Sequence, residues 1–87
     1  MTILAFPSAP SPQSVLATVY RLGAGYPRWS FSMEQGDGTI FVDAVSRATG
    51  RTLSAVHEGG AWLVHGESGI VSRSPNLTTA LEDALAT

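Results

Sequence analysis

The chain has 87 residues, of which 44% are hydrophobic and 14% are charged, with a formal net charge of −2 and no cysteine. This length suits one domain with a modest core, and the composition argues against a disordered chain. The absence of cysteine excludes disulfides, thiolate metal ligands and a cysteine nucleophile, and the small net charge gives no long-range attraction for nucleic acid or an anionic membrane.

The early part of the sequence predicts a chain without a secretory signal. Its apolar run at residues 3–6 is short and has no basic flank, and no apolar run in the sequence is long enough to span a bilayer. We therefore expect a cytoplasmic protein with no membrane partner. All five basic residues are arginine, which is typical of a GC-rich bacterial or phage genome.

A proline-rich stretch at residues 7–12 predicts a tether, because so many prolines fit neither a helix interior nor a central strand. Ser11 then offers a helix N-cap and Pro12 suits the first helical position. We expect a flexible segment over residues 1–11, a single domain over residues 12–87 and a first helix over residues 12–22 that stops at Gly23. Its apolar residues recur at helical spacing: Val15, Leu16, Val19, Tyr20 and Leu22.

Residues 28–45 predict a β-hairpin. Apolar and polar residues alternate from residue 29 to residue 34, and the turn signal Gln35-Gly36-Asp37-Gly38 follows before a second strand over residues 39–45. Whether the turn centres on Gly36-Asp37 or on Asp37-Gly38, the same apolar residues share one face, because the two registers differ by two residues. They are Trp29, Phe31, Met33, Ile40, Val42 and Ala44.

A second hairpin is predicted over residues 52–57 and 61–65, around Glu58-Gly59-Gly60. Pairing across the two glycines places His57 opposite Trp62 and Ala55 opposite Val64. After a turn at residues 66–69, residues 70–73 are expected to add a short edge strand.

The last element is predicted to be a helix capped by Asn76, with an apolar stripe at i, i+3, i+4, i+7 and i+8 spacing. The stripe consists of Leu77, Ala80, Leu81, Ala84 and Leu85. The sequence therefore predicts an α+β domain, in which an antiparallel meander of four to five strands carries an N-terminal and a C-terminal helix on its tryptophan-bearing face.

Catalytic and metal signals are weak in this sequence. His57, His65 and Asp43 are the candidates for a small enzyme, or for an enzyme subunit completed by oligomerisation, but the register puts the two histidines on opposite faces. No Gly-x-Ser-x-Gly elbow or cofactor motif occurs. We expect a protein that is not an enzyme and has no metal site, cofactor or small-molecule substrate.

The order helix, antiparallel meander, helix resembles in topology the double-stranded RNA-binding domain, over most of residues 12–87. That family carries a lysine cluster at the start of its last helix, where this chain has Asn76, Leu77, Thr78 and Thr79. Since phosphate contacts dominate affinity for nucleic acid, their scarcity argues against such a partner. The alternative is a dimeric nucleic-acid-associated regulator, which would use Arg28, Arg47, Arg51 and Arg73.

The sheet face away from the helices is predicted to carry an apolar cluster, where mostly polar residues are the rule. The cluster is Phe41, Val45, Val56 and Leu63. Its cover is either the chain's own Ile3, Leu4 and Phe6, reaching back over the proline-rich tether, or a second chain. The main hypothesis is a protein-binding module, whose partner is either another copy or a host protein complex. A phage or mobile-element inhibitor of a host defence complex is its most specific form.

Overall fold

The computed structural model describes residues 10–86, which form two helices and one five-stranded sheet. The strands are antiparallel, and their order in the sheet is their order in the sequence. The predicted α+β meander, including its fifth strand, is confirmed. None of the helices in the described range is long and apolar enough to cross a membrane. The elements are α1 (Pro12–Gly25), β1 (Trp29–Gly36), β2 (Thr39–Ser46), β3 (Thr52–Glu58), β4 (Ala61–Gly66), β5 (Gly69–Ser74) and α2 (Leu77–Leu85).

Two tight turns fix the register of the hairpins. Gly36 pairs with Thr39, so Asp37-Gly38 forms the first turn, with φ of 51° and 76°. Gly59 and Gly60, with φ of 60° and 81°, form the second turn. Positive φ at both central residues is what a type I′ turn requires, and this turn matches the twist of the strands that it joins. The predicted pairing of His57 with Trp62 is confirmed.

Helix α1 is longer than the sequence predicted. It begins at Ser11, whose side chain accepts a hydrogen bond from the Ser14 N–H at 3.1 Å, but it continues past Gly23 to Gly25. The Tyr26 N–H still donates to the Leu22 carbonyl at 2.8 Å. Pro27 explains the end of the helix, because a proline disfavours helical geometry in the residue before it.

The buried face of α1 also differs from the predicted stripe. Leu16 and Tyr20 are 39% and 71% exposed. Thr18 takes a place in the buried face, and its hydroxyl donates to the Ser14 carbonyl, which satisfies it within the helix. The buried residues of α1 are Val15, Thr18, Val19 and Leu22.

One core lies between the two helices and one face of the sheet, which we call the inner face. From α2, Leu81 and Ala84 are fully buried, and the Ser72 hydroxyl of β5 donates to the Ala80 carbonyl at 2.7 Å. Both helices thus cover the inner face, as predicted, and the opposite outer face carries neither of them. The sheet's share of the core includes Ile40, Val42, Ala44, Leu53, Ala55, Trp62 and Val64.

Candidate binding surface

The outer face is ordered in rows, because residues that pair across antiparallel strands stand side by side on the same face. Phe41 of β2 pairs with Val56 of β3, which pairs with Leu63 of β4. We call these three residues the apolar row. Glu34 of β1 extends it at one end, and Arg73 of β5 extends it at the other.

The apolar row is accessible to a partner. Phe41 is 37% exposed, and Val56 and Leu63 are half-buried. Glu34 and Arg73 are exposed on the two edge strands. The surface therefore has an apolar centre with a negative charge at one end and a positive charge at the other.

A second row crosses the same face one step along the strands. Ser32 pairs with Asp43, Asp43 with Ser54 and Ser54 with His65. We call these four residues the polar row. Their side chains, together with Val45, line a trough of about 680 Å³.

The polar row divides the predicted apolar cluster. Phe41, Val56 and Leu63 come together as predicted, but Val45 lies on the other side of Asp43, four residues and about 13 Å along β2 from Phe41. Val45 is 40% exposed, and the structure places it at the trough, outside the apolar row. The predicted N-terminal cover, Ile3, Leu4 and Phe6, lies outside the described residues.

Arg73 reaches the outer face because β5 contains a β-bulge. His65 pairs with Ile70, but Val64 pairs with Ser72, so Val71 is the extra residue. An unbroken register would place Arg73 opposite Trp62 on the inner face, since a one-residue shift moves every later side chain to the other face. Sequence reasoning missed the role of Arg73 in this row for that reason.

The histidines lie on opposite faces, as the predicted register requires. His57 is on the inner face, where its ring meets Trp62 edge to face with the ring centroids 5.2 Å apart. His65 is exposed in the polar row, separated from Asp43 by Ser54. A catalytic triad needs the histidine between the serine and the acid, so this order does not let Asp43 orient His65 towards Ser54. Within residues 10–86, no three metal-binding side chains of the His, Cys, Asp and Glu types gather at one point.

Three of the four candidate arginines lie at one end of the sheet. The Arg47 N–H donates to the Arg28 carbonyl at 2.8 Å, and the Ser46 N–H donates to the Arg51 carbonyl at 2.8 Å. The first bond ties the loop before β1 to the loop between β2 and β3, and the second closes the loop between β2 and β3. Arg73 lies apart from them on the far edge strand, so the structure does not gather all four arginines.

The contact between the helices includes one polar interaction, away from the outer face. The Tyr26 hydroxyl donates to the Glu82 carboxylate at 2.9 Å. That hydrogen bond, with smaller contributions from desolvation and from the carboxylate charge, raises the pKa of Tyr26 above its usual value. It is a structural link between the end of α1 and α2.

Comparison of this chain with protein families, with curated proteins and with solved structures finds no match.

Proposed function

We propose that this chain is a non-enzymatic protein-binding module and that the outer sheet face is its binding surface. The observation that carries the proposal is the apolar row, three apolar side chains in direct cross-strand contact on the face that the helices leave uncovered. An apolar centre with charged residues at its margin is the arrangement found in protein interfaces. A monomeric antiparallel sheet more often presents polar residues on such a face.

The more specific form of the proposal is that the partner belongs to a host complex, such as a defence machine that a phage or mobile-element protein would inhibit. Its support is the small size of the domain and its arginine-only basic composition. Identifying the proteins that contact the apolar row is the direct way to test it.

Site-specific photocrosslinking tests the binding surface. Benzoylphenylalanine replaces Phe41 or Leu63 in the full-length chain, and the producing cells are irradiated. We expect protein adducts from both positions, identified by mass spectrometry, because the row is in contact with a partner surface.

The matched control is benzoylphenylalanine at Tyr20, which is more exposed than either residue but lies on α1, on the other side of the molecule. If the adducts came only from random collisions with abundant proteins, Tyr20 would give as much adduct as Phe41. Equal yields, or no adduct from Phe41 and Leu63, would contradict the proposal.

Nucleic acid is the second candidate partner, and the clustering of Arg28, Arg47 and Arg51 at one end of the sheet favours it. Phosphate binding through these side chains requires an affinity that falls steeply with salt. A gel-shift series from low to physiological salt tests this, with the Arg28→Ala and Arg47→Ala chain as comparison. The absence of any shift at low salt eliminates this candidate.

A further inference from the structure

We propose that a second copy of this chain covers the apolar row, forming a dimer whose two-fold axis runs parallel to the strands, between the Val56 side chains of the two copies. This inference rests on the proposed function, since it names the partner of the same surface. In a two-fold interface the same patch meets itself, so that residue i contacts residue j of the other copy and j contacts i. The patch must therefore be complementary to its own rotated image.

The charges at the ends of the apolar row have this property. Glu34 and Arg73 lie on opposite edge strands, four strand spacings or about 19 Å apart, too far to pair within one chain. Rotation about an axis above Val56, parallel to the strands, reverses the row. Glu34 of each copy then lies over Arg73 of the other, and Phe41 lies over Leu63, so the apolar centre is closed and both charges are paired.

The polar row repeats this arrangement with a carboxylate and an imidazole. Its acid, Asp43, is on β2, and its base, His65, is on β4, at equal distances from the central strand β3. The rotation that pairs Glu34 with Arg73 also brings Asp43 of one copy to the side of His65 of the other. The rotation therefore brings Glu34 to Arg73 in the apolar row and Asp43 to His65 in the polar row.

Two-fold axes that run along the rows are unfavourable. An axis along the apolar row itself would lay Glu34 over Glu34 and Arg73 over Arg73, which places like charges together. An axis running along the rows, between the apolar and the polar row, would lay Phe41 over Asp43 and Leu63 over His65. Burying a carboxylate under an aromatic ring without a partner is costly. The charge pattern therefore selects the axis parallel to the strands.

The strand directions of two packed sheets differ by up to about 30°. This angle displaces Glu34 of one copy slightly from Arg73 of the other, and the two long side chains reach across the displacement. Glu58 also lies near the axis, one row beyond Val56. It is exposed at the end of β3, where the high dielectric of water weakens its repulsion from the second copy.

Charge reversal tests the geometry. The molar mass of the purified full-length chain is measured by light scattering across a concentration series at low salt, and we expect a reversible dimer. Glu34→Arg and Arg73→Glu each turn two attractive contacts into repulsive ones, and each is expected to weaken dimerisation by at least about tenfold. The double variant carrying both changes restores the pairing and is expected to return to within about threefold of the original affinity.

Mixing the two single variants gives the sharpest result. A Glu34→Arg chain paired with an Arg73→Glu chain has opposite charges at both ends of the row. We therefore expect a heterodimer tighter than either variant's own dimer, detected by native mass spectrometry with one chain isotopically labelled. Statistical mixing of the two chains would overturn the proposed axis.

Phe41→Asp is expected to leave a folded monomer, and Leu16→Asp is the matched control, since Leu16 has a similar exposure of 39% but lies on α1. Circular dichroism and urea unfolding confirm that each variant is folded. A full-length chain that stays monomeric up to millimolar concentration overturns the dimer. If Phe41 then crosslinks to other proteins only, the protein-binding function stands without the dimer, whereas the absence of any adduct from the row removes both.

Discussion

The hydrogen bond between Tyr26 and Glu82 affects the ionisation of Tyr26. Its hydroxyl donates to Glu82, so the folded chain holds the phenolic proton more tightly than the unfolded chain does and the pKa of Tyr26 is raised. The stabilising effect is present below the usual tyrosine pKa and is lost as the pH rises through the higher folded pKa. Loss of the phenolic proton places a second negative charge beside Glu82.

Ultraviolet titration checks this at the level of the single residue. Tyr20 is the only other tyrosine, so a Tyr20→Phe chain reports Tyr26 alone. We expect Tyr26 to titrate above the usual tyrosine value, and Glu82→Gln to lower the pKa of Tyr26 towards that value because the charged acceptor is removed. An unchanged titration curve in the Glu82→Gln chain would show that the hydrogen bond is not formed in solution.

At the scale of elements, the two tight turns can be compared with each other. The first turn has Asp37 at its first central position and the second has Gly59, both with positive φ. Asparagine tolerates this conformation and restricts the unfolded chain more than glycine does. Gly59→Asn is therefore expected to stabilise the domain by about 0.5 kcal/mol.

Gly60→Ala is expected to destabilise the domain by about 1 kcal/mol or more, because φ of 81° is strained for any residue with a Cβ. Gly36→Ala is the control, since an added Cβ there meets nothing within 4 Å and Gly36 has no positive φ. Urea unfolding midpoints at unchanged slope measure all three changes. A Gly60→Ala chain as stable as the Gly36→Ala chain would exclude the type I′ geometry.

The sequence predicted the two hairpins well, because turn residues mark the point at which the paired strands of each hairpin meet. Asp37-Gly38 and Gly59-Gly60 set short turns, so the registers of two hairpins, and with them the faces of His57 and His65, followed from counting residues. The predicted end of α1 at Gly23 is too early, because a glycine is tolerated inside the helix and the helix ends only where Pro27 restricts the residue before it.

The candidate site was predictable only in its centre. The Gly59-Gly60 turn fixes the pairing of Val56 with Leu63, whereas the pairing of Phe41 with Val56 is made across the longer loop at residues 47–51, which has no tight-turn signal. Val45 has the same alternation as Phe41 and lies elsewhere on the face. The place of Arg73 depends on the bulge at Val71, whose side chain packs so closely on Gly66 that a Cβ added to Gly66 would come within 3.1 Å of it. Tertiary packing of this kind has no short-range sequence signal.

At the scale of the whole molecule, both helices complete a single core, so a cavity in α2 is expected to weaken the entire domain. Leu81 is fully buried, and Leu81→Ala should cost about 2–5 kcal/mol. This is a large share of the stability of a small domain, about 5–15 kcal/mol. Leu16→Ala is the control, because Leu16 is 39% exposed on the other helix and should change the free energy of unfolding by much less.

Calorimetry or urea unfolding separates the two outcomes. We expect one cooperative transition in each chain, with the Leu81→Ala midpoint far below that of Leu16→Ala. Two transitions in the Leu81→Ala chain would mean that α2 opens independently and that the core is not shared.

The alternation of side chains along β1 to β4 gives this sheet a freedom that a packed helix layer lacks. Even-numbered residues of β3 face outwards and odd-numbered residues face the core. Each such strand therefore has one set of positions constrained by packing in the core and another set constrained only by what contacts the outer face. The outward positions can accept substitutions, or adapt to a changed binding partner, while the inward positions keep the core residues that maintain the fold. A population of such chains could therefore diversify its surface rapidly at little cost in foldability, and the rows of the outer face are the natural positions at which to build a randomised library.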